Sequence, residues 1–276
     1  MVVWCCRVMT MVLALFAAPA LAQATHIQPQ LVAEMSEPAA GSTITIAVNM
    51  HTEKGWHGYW KNPGEAGFAP RFTWSLPTGV MIGDPAYPVP HALSIAGLVN
   101  YVFEADHALL FPLTVPKGLA AGTALPIHVS AQWLACTDEV CVPEKGAFAL
   151  TLKVGAGAES ERPQFDAWRA KLAPPLGGVV HFQRVDGRLR LAIPFPATAD
   201  VGTPHFFPAE TGMIVDAAPQ RFSRSGDVMI ADLALPKDGT AAPPPQGLLA
   251  QLAALTPGTV SLGDNNADQA LSLIHI

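Results

Sequence analysis

Hydrophobic and polar positions alternate in short runs along most of this chain. In Thr43-Ile-Thr-Ile-Ala-Val48 the apolar side chains of Ile44, Ile46 and Val48 recur every second residue, the period of a half-buried strand. Leu109 to Val115 and Leu125 to Trp133 are similar runs, broken by the turn text Pro116-Lys-Gly118 and Ala121-Gly122, and Ala147 to Val154 closes a first β-rich stretch. Small and polar residues follow from Gly155 to Pro163, the composition of a linker. Phe165, Trp168 and Leu172 then recur at helical spacing, which predicts a short helix after Pro163. A second β region opens with Val179 to Val185, Asp186-Gly187, and Arg188 to Ile193. Asp-Gly accepts the positive φ values of a type I′ turn, so this text predicts a hairpin. In its second arm Leu189, Leu191 and Ile193 face one way, Arg188 and Arg190 the other. Val228 to Leu235 repeats the alternation after Ser225-Gly226-Asp227. Beyond Lys237 the pattern weakens: Ala241 to Pro245 reads as a loop, and Leu248 to Leu255 as a short helix or strand.

The elements predict an all-β chain of two tandem immunoglobulin-like β-sandwich domains. The first spans residues 23–156 and the second 179–264, with a linker and short helix over 157–178. Composition agrees. Half of the residues are apolar, far too many for a disordered chain, and the 26 prolines and 23 glycines punctuate the apolar runs as turns between strands should. A formal charge of −6 leaves no basic footprint, so no nucleic-acid partner is expected.

The two ends stand apart from this text. Arg7, the apolar run Val8 to Ala18 and the small-x-small site Ala20-Leu-Ala22 predict a signal peptide over residues 1–22, cleaved after Ala22. Export places the mature chain in an oxidising compartment and removes Cys5 and Cys6, leaving two cysteines. The ending Leu271 to Ile276 resembles the translation of a transposon-end adapter. Residues 265–276 are therefore expected to be an artefactual tail, with Leu271 to Ile276 packing against nothing.

Those two cysteines, Cys136 and Cys141, are separated by Thr137-Asp-Glu-Val140 and flanked by strand-like runs. A hairpin of this length brings its flanks into cross-strand register with Cα atoms about 5.5 Å apart, within reach of a disulfide. Three uses fit the spacing. A structural staple over so short a loop contributes only about 2 kcal/mol. A redox pair would use one thiolate to attack a partner's disulfide and the other to resolve the mixed disulfide. A metal site would need further ligands, and the nearest upstream histidine, His128, lies in strand text outside any ligand motif. Spacing leaves staple and redox pair equally open, with metal well behind.

The wider text resembles a known family. Trp56-His-Gly-Tyr-Trp-Lys-Asn-Pro-Gly-Glu-Ala-Gly67, with Trp133-Leu-Ala-Cys136 and Cys141-Val-Pro-Glu144, is similar to the N-terminal periplasmic region of the DsbD/ScsB thiol:disulfide interchange proteins. The likeness covers residues 23 to 154. Phe206-Phe-Pro208 and Ala218-Pro-Gln220 resemble the ScsB-type pair of immunoglobulin-like domains. The resemblance implies a protein-disulfide reductase that passes electrons to oxidised periplasmic partners of thioredoxin-like fold. Carried over by position, Cys141 would form mixed disulfides and Cys136 would resolve them. A cap loop over the cysteines would lie at Gly97 to Tyr101, with Leu98, Val99 and Tyr101 as its residues. The family's membrane domain, which draws electrons from the cytoplasm, has no counterpart in this text and is expected in a full-length protein. No cofactor and no metal are expected.

Other residues were weighed for different chemistry. Trp56, Tyr59 and Trp60 invite sugar stacking, but aromatic core packing accounts for them more simply. His51, His57, His91 and His107 lack the spacing of a copper or zinc site. Asp138 and Glu139 either raise the pKa of a neighbouring thiol or form a solvated turn. The competing function is a non-enzymatic adhesion or ligand-binding sandwich with a structural disulfide.

Overall fold

Strand follows strand in the computed structural model, which describes residues 25–159, 161–173, 178–199, 202–237, 258–262 and 274–275. The expected signal peptide and the segments 241–245 and 248–255 lie outside the described residues. In chain order the first elements are β1 (Ile27–Ala33), β2 (Met35–Glu37), β3 (Thr43–Thr52), β4 (Gly58–Gly64), β5 (Arg71–Ser75), β6 (Met81–Ile82), β7 (His91–Ile95), β8 (Leu98–Phe103) and β9 (His107–Thr114). They are followed by β10 (Ala124–Cys136), β11 (Cys141–Lys153), β12 (Ala158–Glu159) and the helix α1 (Arg162–Arg169). The remaining strands are β13 (Gly178–Val185), β14 (Arg188–Pro194), β15 (His205–Phe206), β16 (Arg221–Ser225), β17 (Val228–Ala234), β18 (Gly258–Leu262) and β19 (Ile274–His275). Every pairing is antiparallel, and the all-β, immunoglobulin-like reading of the sequence holds.

The first core lies between two sheets, β1-β3-β9-β6 and β11-β10-β5. The period-two pattern fixes which side chains enter it. Ile44, Ile46 and Val48 from β3, and Leu109, Phe111 and Leu113 from β9, meet Leu125, Ile127 and Trp133 from β10. The opposite face of β3 and β9 is covered by α1, whose Phe165 and Trp168 pack on Ala47, Ala108 and Leu110. Pro163 lies in the first turn of α1, where its missing N–H costs no helical bond. Arg169 in the last turn anchors the helix to Glu34 at 2.5 Å and to Thr45 at 3.0 Å.

A separate core forms on the sheet β16-β17-β14-β13-β18. The Asp186-Gly187 turn has φ of +49° and +70°, the conformation its sequence predicts. Leu189, Leu191 and Ile193 enter the core, while Arg188 and Arg190 face away and both bond Asp232 across the strand pair. The expectation that the last residues pack against nothing fails for two of them. Ile274 and His275 pair antiparallel with β15. The rest of 265–276 lies outside the described residues.

The two β regions meet at a third sheet, β4-β8-β7. Trp60, Tyr101 and Phe103 from that sheet pack with Phe207, and Tyr101 and Phe207 stand edge to face at 5.3 Å. Asn62 donates to the Pro208 carbonyl at 2.8 Å and accepts from Thr211 at 3.0 Å. Tyr101 donates its hydroxyl to Asp216 at 2.7 Å, and burial raises the pKa of both groups. A buried carboxylate stripped of its donor costs about 1–3 kcal/mol, so Tyr101→Phe is expected to lower stability by that amount near pH 7. The deficit should be full above the folded-state pKa of Asp216 and shrink as pH falls through it, because a protonated Asp216 no longer needs the donor. Denaturant titrations of both proteins across the acid range check it. A deficit independent of pH would assign the cost to packing alone.

Candidate active site

The cysteines sit where the longest hairpin ends. β10 and β11 are 13 residues each and hold one register from Ala124 opposite Lys153 to Cys136 opposite Cys141. Three rungs from the tip, Trp133 faces Glu144 and donates its indole N–H to that carboxylate at 2.7 Å. Glu144 is 6% exposed and also accepts the amides of His26 at 2.5 Å and Ile27 at 3.1 Å, tying the start of β1 to the hairpin. The outer residues of the Trp-Leu-Ala-Cys and Cys-Val-Pro-Glu text are therefore one cross-strand lock. At the tip, Thr137 donates its amide to the Val140 carbonyl at 2.8 Å, and its hydroxyl accepts the amides of Glu139 and Val140. Asp138 and Glu139 are exposed in this turn.

Cys136 and Cys141 are disulfide-bonded, with Cα atoms 4.1 Å apart rather than the 5.5 Å expected for a hydrogen-bonded pair. The reason is register. The amide and carbonyl of Cys136 point the other way, to His57 on the edge of β4, at 3.0 and 2.8 Å. The rung to Cys141 is thus the narrow kind, where side chains lie closest. The two sulfurs have opposite environments. Cys136 is 0% exposed, whereas Cys141 is exposed.

Alternation along β10 explains the burial of Cys136. Ala131, Trp133 and Ala135 face the main core, so Leu134 and Cys136 face the other side of the sheet. There the sheet β4-β8-β7 covers them with Tyr59, Val102, Leu93 and the neighbouring loop residue Phe68. Tyr59 donates its hydroxyl to Cys136 Sγ at 3.3 Å, and burial raises its pKa, keeping the phenol a donor. Two glycines permit this cover. Gly67 has φ +84°, and a Cβ there would stand 2.4 Å from the Tyr59 ring. Gly64, also at +84°, would place a Cβ 2.3 Å from the Val99 carbonyl, where β4 and β8 pair.

The structure brings some of the sequence-derived candidates together and separates others. Cys136 and Cys141 meet. Leu98, Val99 and Tyr101 lie on β8 beside the site, after the turn at Ala96-Gly97. Leu98 is 45% exposed, and Val99 and Tyr101 face the Phe207 cluster, because strand alternation turns Val102, not Tyr101, towards Cys136. Leu93, Phe68 and Tyr59 touch the site without having been singled out for it. Their contacts span many residues (77 from Tyr59 to Cys136), and only the pairing of Gly58 to Gly64 with β8 reveals them. Trp60 is fully buried and Tyr59 nearly so, which leaves neither ring a free face for a sugar, and the partly buried Trp56 stacks on His26 at 3.5 Å. The histidines stay apart: His51 bonds Asp106, His91 approaches Glu104, and burial lowers the pKa of His107 to about 4. Among the described residues no cluster of three or more His, Cys, Asp or Glu is placed to hold a metal ion.

Comparison with known proteins places this geometry. The family model described as thiol:disulfide interchange protein DsbD, N-terminal, matches residues 23–153. No curated protein matches the chain. Among solved structures, the N-terminal periplasmic domain of ScsB from Proteus mirabilis is similar, with a TM-score of 0.56 and 18% identity over 86% of this chain and 89% of that one. At that identity the likeness is one of fold, and it extends beyond the residues that the family model matches.

Two measurements probe the site. In the reduced protein a limiting dose of iodoacetamide should modify Cys141 at least roughly tenfold faster than Cys136, because thiol reactivity requires access. Peptide mass mapping reads the ratio, and equal labelling would contradict the burial of Cys136. Glu144→Ala strands three donors and should lower stability by about 3 kcal/mol or more. A denaturation midpoint equal to wild type would show that Glu144 is not the lock.

Proposed function

Residues 23–153 belong to the family of DsbD N-terminal thiol:disulfide interchange domains, and on that footing we propose that the chain is a periplasmic protein-disulfide reductant working through a reversible Cys136–Cys141 disulfide. The observation that carries the proposal is the asymmetry of the two sulfurs. Exchange requires a thiolate and a disulfide sulfur to meet, so the reachable sulfur is the one that bonds a partner. That is Cys141, at the end of a hairpin with exposed Val140 beside it. In the reduced protein Cys141 attacks the partner's disulfide and forms a mixed disulfide. Cys136 then attacks Cys141 Sγ, re-forms the intramolecular bond and releases the reduced partner. The partners are oxidised proteins or domains of thioredoxin-like fold, and the ScsB likeness, to a periplasmic domain, favours the same compartment.

A staple would use this bond poorly. Closing so short a loop contributes about 2 kcal/mol, and the first core is already extensive. The β7–β8 hairpin is the natural cap. Leu93 and Val102 lie on the sulfur side, Leu98 and Val99 start its second strand, and Tyr101 lies behind. A docking partner would have to displace the cover before Cys136 could move. In this reading residues 23–156 are the redox domain and 179–264 a second immunoglobulin-like domain behind the cap.

Substitution of the cysteines separates the roles. Cys136→Ser should trap a mixed disulfide with an oxidised thioredoxin-fold protein, visible on a non-reducing gel, and Cys141→Ser should form none. Each should lose only about 2 kcal/mol of stability. Trapping by Cys141→Ser would reverse the roles. A wild-type protein inert to exchange, with both variants strongly destabilised, would make the bond a staple in an adhesion or ligand-binding sandwich.

A further inference from the structure

His57 has no part in the chemistry described so far, yet it is the residue paired with Cys136. Each donates its amide N–H to the other's carbonyl, at 2.8 and 3.0 Å. Residues paired in this way project to the same side of the sheet, with Cβ atoms about 5 Å apart. Side by side on one face, therefore, stand His57, Cys136 and Cys141. The His57 ring is 3% exposed and lies edge-on to Tyr59, with centroids 5.6 Å apart. Its Nε2 is buried and has no hydrogen-bond partner. A buried ring nitrogen left so costs about 1–3 kcal/mol, and the packing of the ring does not explain it.

Cys136 supplies the explanation. To resolve a mixed disulfide it must lose its thiol proton, and a side chain standing beside this buried sulfur is placed to receive it. Tyr59 is already a donor to that sulfur and can steady a thiolate, but it cannot take the proton. We propose, resting on the exchange reading above, that His57 is the proton acceptor for Cys136. As the proton passes from Cys136 Sγ to His57 Nε2, the sulfur attacks Cys141 Sγ. The Cys136–Cys141 bond forms, the bond from Cys141 to the partner breaks, and the partner's sulfur leaves as a thiolate with the bonding pair. Two electrons have then passed from the cysteine pair to the partner. In the reverse direction the imidazolium returns the proton to Cys136 as it leaves. The groups around the ring suit both states. Burial lowers the pKa of His57, so it rests neutral, while the charges of Glu104 after β8 and Asp138 in the hairpin turn favour the imidazolium. Tyr59 is the remaining titratable neighbour on its own strand.

The test uses the reduced protein and dithiobis(nitrobenzoate), which yields one coloured thiolate when Cys141 attacks and a second when Cys136 resolves. In His57→Gln the first phase should stay within about twofold of wild type, while the second slows on the order of 10²-fold, the usual size of a general-base effect. In His57→Ala, added imidazole should restore the second phase in proportion to its concentration. In wild type the second-phase rate should bend at a pKa below the ordinary 6.5 of histidine, a readout that stands even where a variant fails to fold. Equal slowing of both phases, an unchanged second phase, no effect of imidazole, or a wild-type profile without that bend would each overturn the proposal. A wild-type protein that releases only the first thiolate would sink the exchange reading along with it.

Discussion

One ladder register carries the rest. Pairing β10 with β11 so that Trp133 faces Glu144 necessarily sets Cys136 opposite Cys141. A slip by one residue would turn every side chain of a strand to the wrong face, and the core residues Leu125, Ile127 and Trp133 forbid it. The buried Glu144 adds a second constraint, because its carboxylate meets three donors from two places at once, the start of β1 and Trp133 of β10. The Cys136–Cys141 disulfide is therefore positioned by residues that never touch it.

The second organising fact is that the sheet β4-β8-β7 is used on both faces. Tyr59 and Val102 point to Cys136, whereas Trp60 and Tyr101, their immediate neighbours in sequence, point to Phe207. This needs apolar residues at consecutive positions, Tyr59-Trp60 on β4 and Tyr101-Val-Phe103 on β8. The glycines at 64 and 67 then allow backbone and ring to approach more closely than any side chain would permit.

Such double use also explains what could be read from the sequence. Strands whose apolar residues recur at every second position declared themselves: β3, β10 and the β13–β14 hairpin alternate visibly, and Asp186-Gly187 named its own turn. The helix after Pro163 was legible from Phe165 and Trp168, the two residues it buries. The cysteine pairing followed from short-range spacing. The cover did not, because Phe68, Leu93 and Val102 come from three segments whose meeting depends on long-range pairing. The resemblance set Leu98, Val99 and Tyr101 in a cap loop, and in the structure alternation along β8 turns Val102 towards Cys136 and Tyr101 towards Phe207. The pairing of Ile274 and His275 with β15 was hidden for a different reason, since two residues are too few to show a period.

The hydroxyl of Tyr101 and the ring of Val102's neighbour Phe103 bind the back of the cover to the second β region, while its front rests on sulfur. Opening the front must loosen the back, so the two cannot fluctuate independently. The cover is then less a hinged flap than a partition wall with load on both sides.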